Sequence, residues 1–258
     1  MPVLANLYYS AFKGSSSSAP PVILIHGAGS QHLIWPLEIR RMSKSNVYAI
    51  DLPGHGNSSG LARQKVQAYQ NVILDFIYEL KREWAVLVGH SLGAAIALQM
   101  AADHPAHVAG LVCISAAATF RPNRELTESI RLPQYHKSAT VALKNFFKPV
   151  SGKDHWYPAL EKSIEKLRPA LWYSDLRAGE NFDIRPRLNE IKAPALVMSG
   201  TADPLVPYRD ALYLAKQLPA GCFIGFEGNG HMLILEEPAR VAAEIKAFLA
   251  SIHPRPDN

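Results

Sequence analysis

Cysteine is scarce: Cys113 and Cys222 are the only two in 258 residues, too few for a disulfide-stapled scaffold. Each falls in an apolar run and is expected to be a buried small hydrophobe. No basic residue precedes Lys13 and no long apolar stretch follows the first methionine, so a secretory signal is not expected and a reducing cytoplasm is the expected location. Uninterrupted hydrophobic runs are missing as well. The most membrane-like segment, residues 85–102, is broken by Gly89, His90, Ser91, Gly93 and Gln99, which a bilayer penalises, so no membrane span is expected. Histidines, cysteines and carboxylates do not cluster at zinc-binding spacing, and no metal or organic cofactor is expected. Aromatic residues are not interleaved with basic ones in a nucleic-acid-binding motif, so no nucleic-acid partner is expected.

What is present is a chain with 48% hydrophobic residues, enough to fill one large core. The formal charge of +5 is unevenly spread. Residues 119–192 carry 14 basic and 9 acidic side chains, while the rest of the chain balances at 13 of each. A solvated helical surface accounts for this most simply; attraction for an anionic or carrier-linked acyl group is the sharper alternative.

Short runs rich in Val and Ile at residues 21–25, 47–50, 85–88, 111–115, 195–199 and 222–226 suit strands buried on both faces. Between them lie amphipathic or Ala-rich stretches at 67–81, 92–102, 211–217 and 238–250. The alternation predicts a doubly wound, mostly parallel sheet of the α/β class. It breaks once, between residues 116 and 192, where helical segments such as 138–147 and 157–167 are punctuated by prolines. Such an insertion between two strands is placed over the C-terminal edge of the sheet, where open α/β folds bind ligands.

The chemistry begins at Gly89-His90-Ser91-Leu92-Gly93. Alone this Gly-x-Ser-x-Gly pentapeptide is a weak signal. Here it follows a strand-like run and precedes an Ala-rich helix, the context in which a sharp turn exposes a serine Oγ at the sheet edge. A second glycine-bearing loop, His26-Gly27-Ala28-Gly29, follows the run at 21–25. Acyl transfer passes through a tetrahedral oxyanion that needs preorganised donors; the N–H groups of Ala28 and Leu92 are the expected pair. A dinucleotide-binding reading of Gly27 and Gly29 fails, because the third glycine of that pattern is replaced by His32.

The order of His26-Gly27-Ala28-Gly29, Asp51-Leu-Pro-Gly-His-Gly-Asn-Ser58, the serine pentapeptide, Gly200-Thr-Ala-Asp203 and Gly230-His231 resembles the α/β-hydrolase superfamily over nearly the whole chain outside the insertion. The resemblance implies an α/β-hydrolase core formed by residues 1–115 and 193–258, with 116–192 as a helical cap. It implies Ser91 as nucleophile, Asp203, after the seventh strand, as the acid, and His231, after the eighth, as the base. It also implies that the seventh strand separates Cys113 from Cys222 by about two strand spacings, roughly 9–10 Å, beyond the roughly 7 Å a disulfide spans.

The residues support the same choice. Asp210 falls at a helix start, where a capping role suffices, and Asp51 precedes Ser91 in a segment that is a structural turn in this family. His26 and His55 are assigned to loops, His90 to local packing or hydrogen bonding inside the turn, and His104 and His107 to the surface. The expected activity is hydrolysis of a carboxylic ester of small or medium acyl size through an acyl-enzyme. Thioesterase, lactonase, carbon–carbon hydrolase and carrier-linked acyl methyl esterase chemistry remain open on the same triad. A non-catalytic binding or receptor protein on this fold is the alternative of a different class. Trp35, Phe120, Trp156 and Trp172 are the expected walls of the acyl pocket.

Overall fold

A computed structural model describes residues 2–15, 19–42, 44–122, 124–148, 155–165 and 168–252, apart from the side chain of Phe146. In chain order the elements are β1 (Val3–Leu4), β2 (Leu7–Phe12), β3 (Val22–Ile25), α1 (Leu37–Arg40), β4 (Val47–Ile50), α2 (Val66–Glu79), β5 (Ala85–His90), α3 (Leu92–Asp103) and β6 (Val108–Ile114). They continue with α4 (Arg124–Arg131), α5 (His136–Phe146), α6 (Tyr157–Glu165), α7 (Pro169–Glu180), β7 (Ala195–Gly200), α8 (Tyr208–Gln217), β8 (Gly221–Phe226), α9 (Leu233–Glu236) and α10 (Pro238–Ser251).

The strands form one sheet in the order β1-β2-β4-β3-β5-β6-β7-β8. From β4 to β8 every pairing is parallel, and β2 alone runs the other way, pairing antiparallel with both β1 and β4. Side-chain alternation explains why the central strands β3, β5, β6 and β7 read as continuous apolar runs. On β3, Ile23 and Ile25 point into the core shared with α2, α3 and α8, whereas Val22 and Leu24 point into the core shared with α1 and α10. With both faces covered there is no polar face to write into the sequence. Helix α3 is almost wholly buried, and its run of alanines lets it lie close to the sheet. A Cβ on Gly93 would stand 2.1 Å from the carbonyl oxygen of Ile25, so this approach needs glycine.

Helices α4 to α7 all lie between β6 and β7. They share a separate apolar cluster that includes Leu126, Ile130, Leu143, Ile164, Trp172 and Leu176. The segment contains strand-like pairing at one point, a bridge between Thr119 and Asp183 that ties its two ends together.

Three expectations require correction. Trp35 does not line the cavity: it is fully buried, following the short 3₁₀ turn at His32–Ile34, in the core shared with α1 and α10. Cys222 is exposed, whereas Cys113 is buried. Its strand, β8, is the last in the sheet and is covered less completely than the central ones. The antiparallel β1–β2 hairpin was absent from the expected elements. The two thiols are free, and they sit on β6 and β8 with β7 between them; burial pushes the Cys113 thiol up to about 12. Among the described residues, no helix is long and apolar enough to cross a membrane.

Candidate active site

The motif residues converge because they follow the C-terminal ends of parallel strands, where doubly wound sheets open. His26 to Gly29 follow β3, Ser91 follows β5, Asp203 follows β7 and His231 follows β8. Between these loops and the inserted helices lies a cavity of about 930 Å³. Ala28, Ser91, His231, Phe120, Trp156 and Trp172 all line it.

Ser91 occupies a backbone conformation that most residues avoid, with φ 53° and ψ −115°. Such a conformation costs about 1–3 kcal/mol and persists only where the surroundings impose it. Here the Ser91 N–H donates to the Ile114 carbonyl at 2.9 Å, and its own carbonyl accepts from Ala94 and Ala95 at the start of α3. A Cβ at Gly89 would lie 2.4 Å from the Ala94 nitrogen, so the turn closes only with glycine there. Leu92 begins α3 with its side chain buried in the core. Its amide belongs to the first helical turn, whose N–H groups lack intrahelical acceptors.

The loop after β3 is fixed through its carbonyls. The Gly27 oxygen accepts from His26 Nδ1 at 2.8 Å and from the Ser30 N–H at 3.3 Å. The other ring nitrogen of His26 accepts the Leu52 N–H at 3.1 Å, so the proton resides on Nδ1. Burial, then the neighbouring His55, holds His26 well below the usual histidine range and keeps it neutral. In a trans peptide C=O and N–H point oppositely, so pinning the Gly27 carbonyl also aims the Ala28 N–H. The loop lies against the serine turn: a Cβ on Gly27 would be 3.4 Å from that of Ser91.

His231 Nδ1 lies 2.9 Å from Asp203 Oδ2 and 3.1 Å from Oδ1. The carboxylate also accepts from the Leu205 and Val206 N–H groups at 2.8 and 2.9 Å. Burial alone would raise the Asp203 carboxyl, but the His231 imidazole and these amides outweigh it and hold the group below the usual carboxylate range. Asp203 therefore stays ionised behind the imidazole and orders its Nδ1 proton.

His90 reaches further than its expected local role. Its Nε2 donates to the His231 carbonyl at 3.0 Å, linking the serine turn to the loop after β8. Burial, then the His231 ring, pushes His90 down to about 3, so it acts as a neutral tether. Phe147 stacks at an angle against His231 with ring centroids 6.0 Å apart, and Trp172 lies beyond it at 6.2 Å. The DLPGHGNS segment is structural: Asp51 accepts from the backbone and side chain of His32 and from the Asn57 N–H. A Cβ on Gly56 would strike the same carboxylate.

The sequence reading missed Asp175. This fully buried side chain on α7 receives the Gly29 N–H, His55 Nε2 and the Tyr69 hydroxyl. A signal was available: Asp175 lies between Trp172 and Leu176 on the buried face of α7, and a carboxylate on an apolar stripe requires partners. Those partners are over a hundred residues away along the chain. Among the described residues no cluster of metal-binding side chains occurs.

A model of the alpha/beta hydrolase family matches residues 22–244. The chain is 26% identical over 238 residues to (E)-2-((N-methylformamido)methylene)succinate hydrolase of Acinetobacter baylyi, covering 89% of this chain and 90% of that protein. It is 24% identical over 262 residues to the pimeloyl-[acyl-carrier protein] methyl ester esterase of Vibrio campbellii, covering 95% and 99%. The enol-lactonase of Burkholderia xenovorans superposes with a TM-score of 0.85 over 95% of this chain and 96% of its own, at 21% identity.

Proposed function

The chain belongs to the alpha/beta hydrolase family, and from that premise we propose that it is a serine hydrolase cleaving carboxylic esters of small or medium acyl groups. The observation that carries this reading is the His231–Asp203 pair, with Nδ1 2.9 Å from the carboxylate, whose histidine lines one cavity with Ser91 in its strained turn. His231, its Nδ1 proton committed to Asp203, takes the Ser91 hydroxyl proton through Nε2. The alkoxide attacks the ester carbonyl, and the Ala28 and Leu92 amides receive the oxyanion. His231 returns the proton to the leaving alcohol. Water then repeats the sequence on the acyl-enzyme and regenerates Ser91. Residues 116–192 act as a cap whose Phe120, Trp156 and Trp172 meet the acyl chain.

A second reading, an acyl group that is acidic or carried on an acidic partner, is favoured by Arg121 in the cavity wall, where Arg209 is balanced by Asp210 at 3.7 Å, and by the positive excess of residues 119–192. The relative in Vibrio campbellii is named an esterase for a methyl ester of an acyl group on acyl-carrier protein. One panel tests both readings: kcat/KM for p-nitrophenyl esters of increasing chain length and for a matched acidic ester, at rising ionic strength. Turnover of neutral esters at all salt concentrations is expected. The acidic ester is expected to slow as screening shortens from about 30 Å at 0.01 M to about 8 Å at 0.15 M salt. Absence of ester turnover would reject the main reading; parallel salt curves would reject the second.

A further inference from the structure

Helix α7 bears on the Ala28 loop at two points one turn apart. Trp172 covers Gly29 so closely that a Cβ there would lie 2.0 Å from the indole, and Gly29 has φ +65°. Three residues on, Asp175 Oδ2 accepts the Gly29 N–H at 2.8 Å. The same oxygen is 2.8 Å from His55 Nε2, and Oδ1 accepts the Tyr69 hydroxyl at 2.5 Å. His55 Nδ1 faces the Pro53 carbonyl at 3.0 Å. With an acceptor at each ring nitrogen, both carry protons when both bonds form, which makes His55 an imidazolium paired with the carboxylate. Burial opposes that charge, but Asp175 outweighs it and His55 is raised above the usual histidine range. Tyr69 is itself held, its oxygen accepting the Arg63 N–H at 2.9 Å. The carboxylate therefore has fixed partners on the turn after β4, on α2 and on the loop after β3, and none of them is needed to close α7 as a helix.

We propose that Asp175 is a positioning residue for the oxyanion loop, holding the Ala28–Gly29 peptide from the inserted helices so that the Ala28 amide, aimed from the core side through the Gly27 carbonyl, is held on both sides when α7 is seated. The proposal rests on the serine-hydrolase reading. The Gly27 carbonyl is pinned from the core side by His26 and Ser30, and Asp175 pins the very next peptide, through the Gly29 N–H, from the other side. Between these two fixed points the Ala28 N–H has one direction. Seating of α7 on substrate is thereby coupled to completion of the donor pair, and the residues that cover the acyl chain also prepare the site for the charge that develops on it.

The test compares Asp175→Ala and Asp175→Asn with wild type, with rates expressed per active site counted by fluorophosphonate labelling and Tm recorded alongside. Asparagine keeps an oxygen for the Gly29 N–H, whereas alanine removes it. For Asp175→Ala, kcat is expected to fall about 10²-fold, the scale of a misplaced oxyanion donor, with KM within about threefold. A trifluoromethyl ketone, which forms a tetrahedral oxyanion on the serine, should weaken by a similar factor, while the corresponding alcohol binds as before. Asp175→Asn should restore kcat to within about tenfold of wild type. If the alanine variant does not fold, Asp175→Ser, whose hydroxyl is too short to reach Gly29, takes its place. A folded Ala or Ser variant with unchanged kcat per site, or equal weakening of ketone and alcohol, overturns the positioning role alone. A wild-type protein that neither labels nor turns over overturns the serine-hydrolase reading, and this role with it.

Discussion

Ser91→Ala is expected to lower kcat by about 10⁴-fold or more while the protein remains folded, the scale found when a triad member is removed. The stability half of this expectation follows from the backbone. Ser91 sits at φ 53° because its N–H is tied to Ile114 and its carbonyl begins α3, and alanine keeps both bonds and the same Cβ. The strain, about 1–3 kcal/mol, is common to the two proteins and cancels in the comparison. What disappears is the oxygen that attacks. Residual turnover by water in the oxyanion site sets the floor. Circular dichroism and Tm matching wild type, with kcat at that floor, would agree; an alanine variant retaining a tenth of the wild-type rate would reject Ser91 as nucleophile.

Asp203→Asn should cost about 10³- to 10⁴-fold in kcat, for a reason of hydrogen-bond direction rather than shape. Asp203 Oδ1 receives two backbone N–H groups, from Leu205 and Val206. Those donors compel the asparagine oxygen to take that position and leave its NH₂ facing His231 Nδ1. The imidazole must then accept at Nδ1 and carry its proton on Nε2, where it can no longer receive the proton of Ser91. Stability has a pH signature as well. The Asp203 carboxyl is held below its ordinary value, so its contribution is fully present above the unfolded-state pKa, about 3.9, and is lost as pH falls through the lower folded-state value. Acid unfolding of Asp203→Asn should lack that component. Kinetics at neutral pH and acid melts of both proteins check the two halves, and a variant with wild-type kcat would show that Asp203 does not order the histidine.

The sheet was legible because burial on both faces leaves runs such as residues 47–50 and 195–199 apolar throughout, and these match β4 and β7 closely. The first hairpin was not. Leu7–Phe12 is only partly buried, so its pattern is mixed, and its turn is made by Ala5 and Asn6, both at positive φ, instead of a glycine that would have announced it. Within the helical insertion, α4 and α7 were not singled out for a related reason. The prolines there mark breaks, and Pro169 opens α7 where it fits the first turn of a helix as readily as it ends one.

At the site, Ser91 was singled out by its strand–turn–helix context, whereas Asp203 and His231 were implied by the family resemblance; the structure puts them after β7 and β8 with His231 Nδ1 2.9 Å from the carboxylate. Trp35 could not be placed, because closeness in sequence to the Ala28 loop says nothing of which face of the sheet the chain turns to. Asp175 and the His90 tether depend on contacts across more than a hundred residues. Only the folded chain brings those partners together.

The central claim is that Ser91 forms a covalent acyl intermediate, and mass spectrometry of protein quenched during turnover of a slowly deacylating p-nitrophenyl ester tests it directly. The account predicts a burst of nitrophenol close to one per active site and an acyl adduct mapped to Ser91, absent from Ser91→Ala. Hydrolysis without any adduct, or an adduct on another residue with Ser91 unmodified, would contradict it.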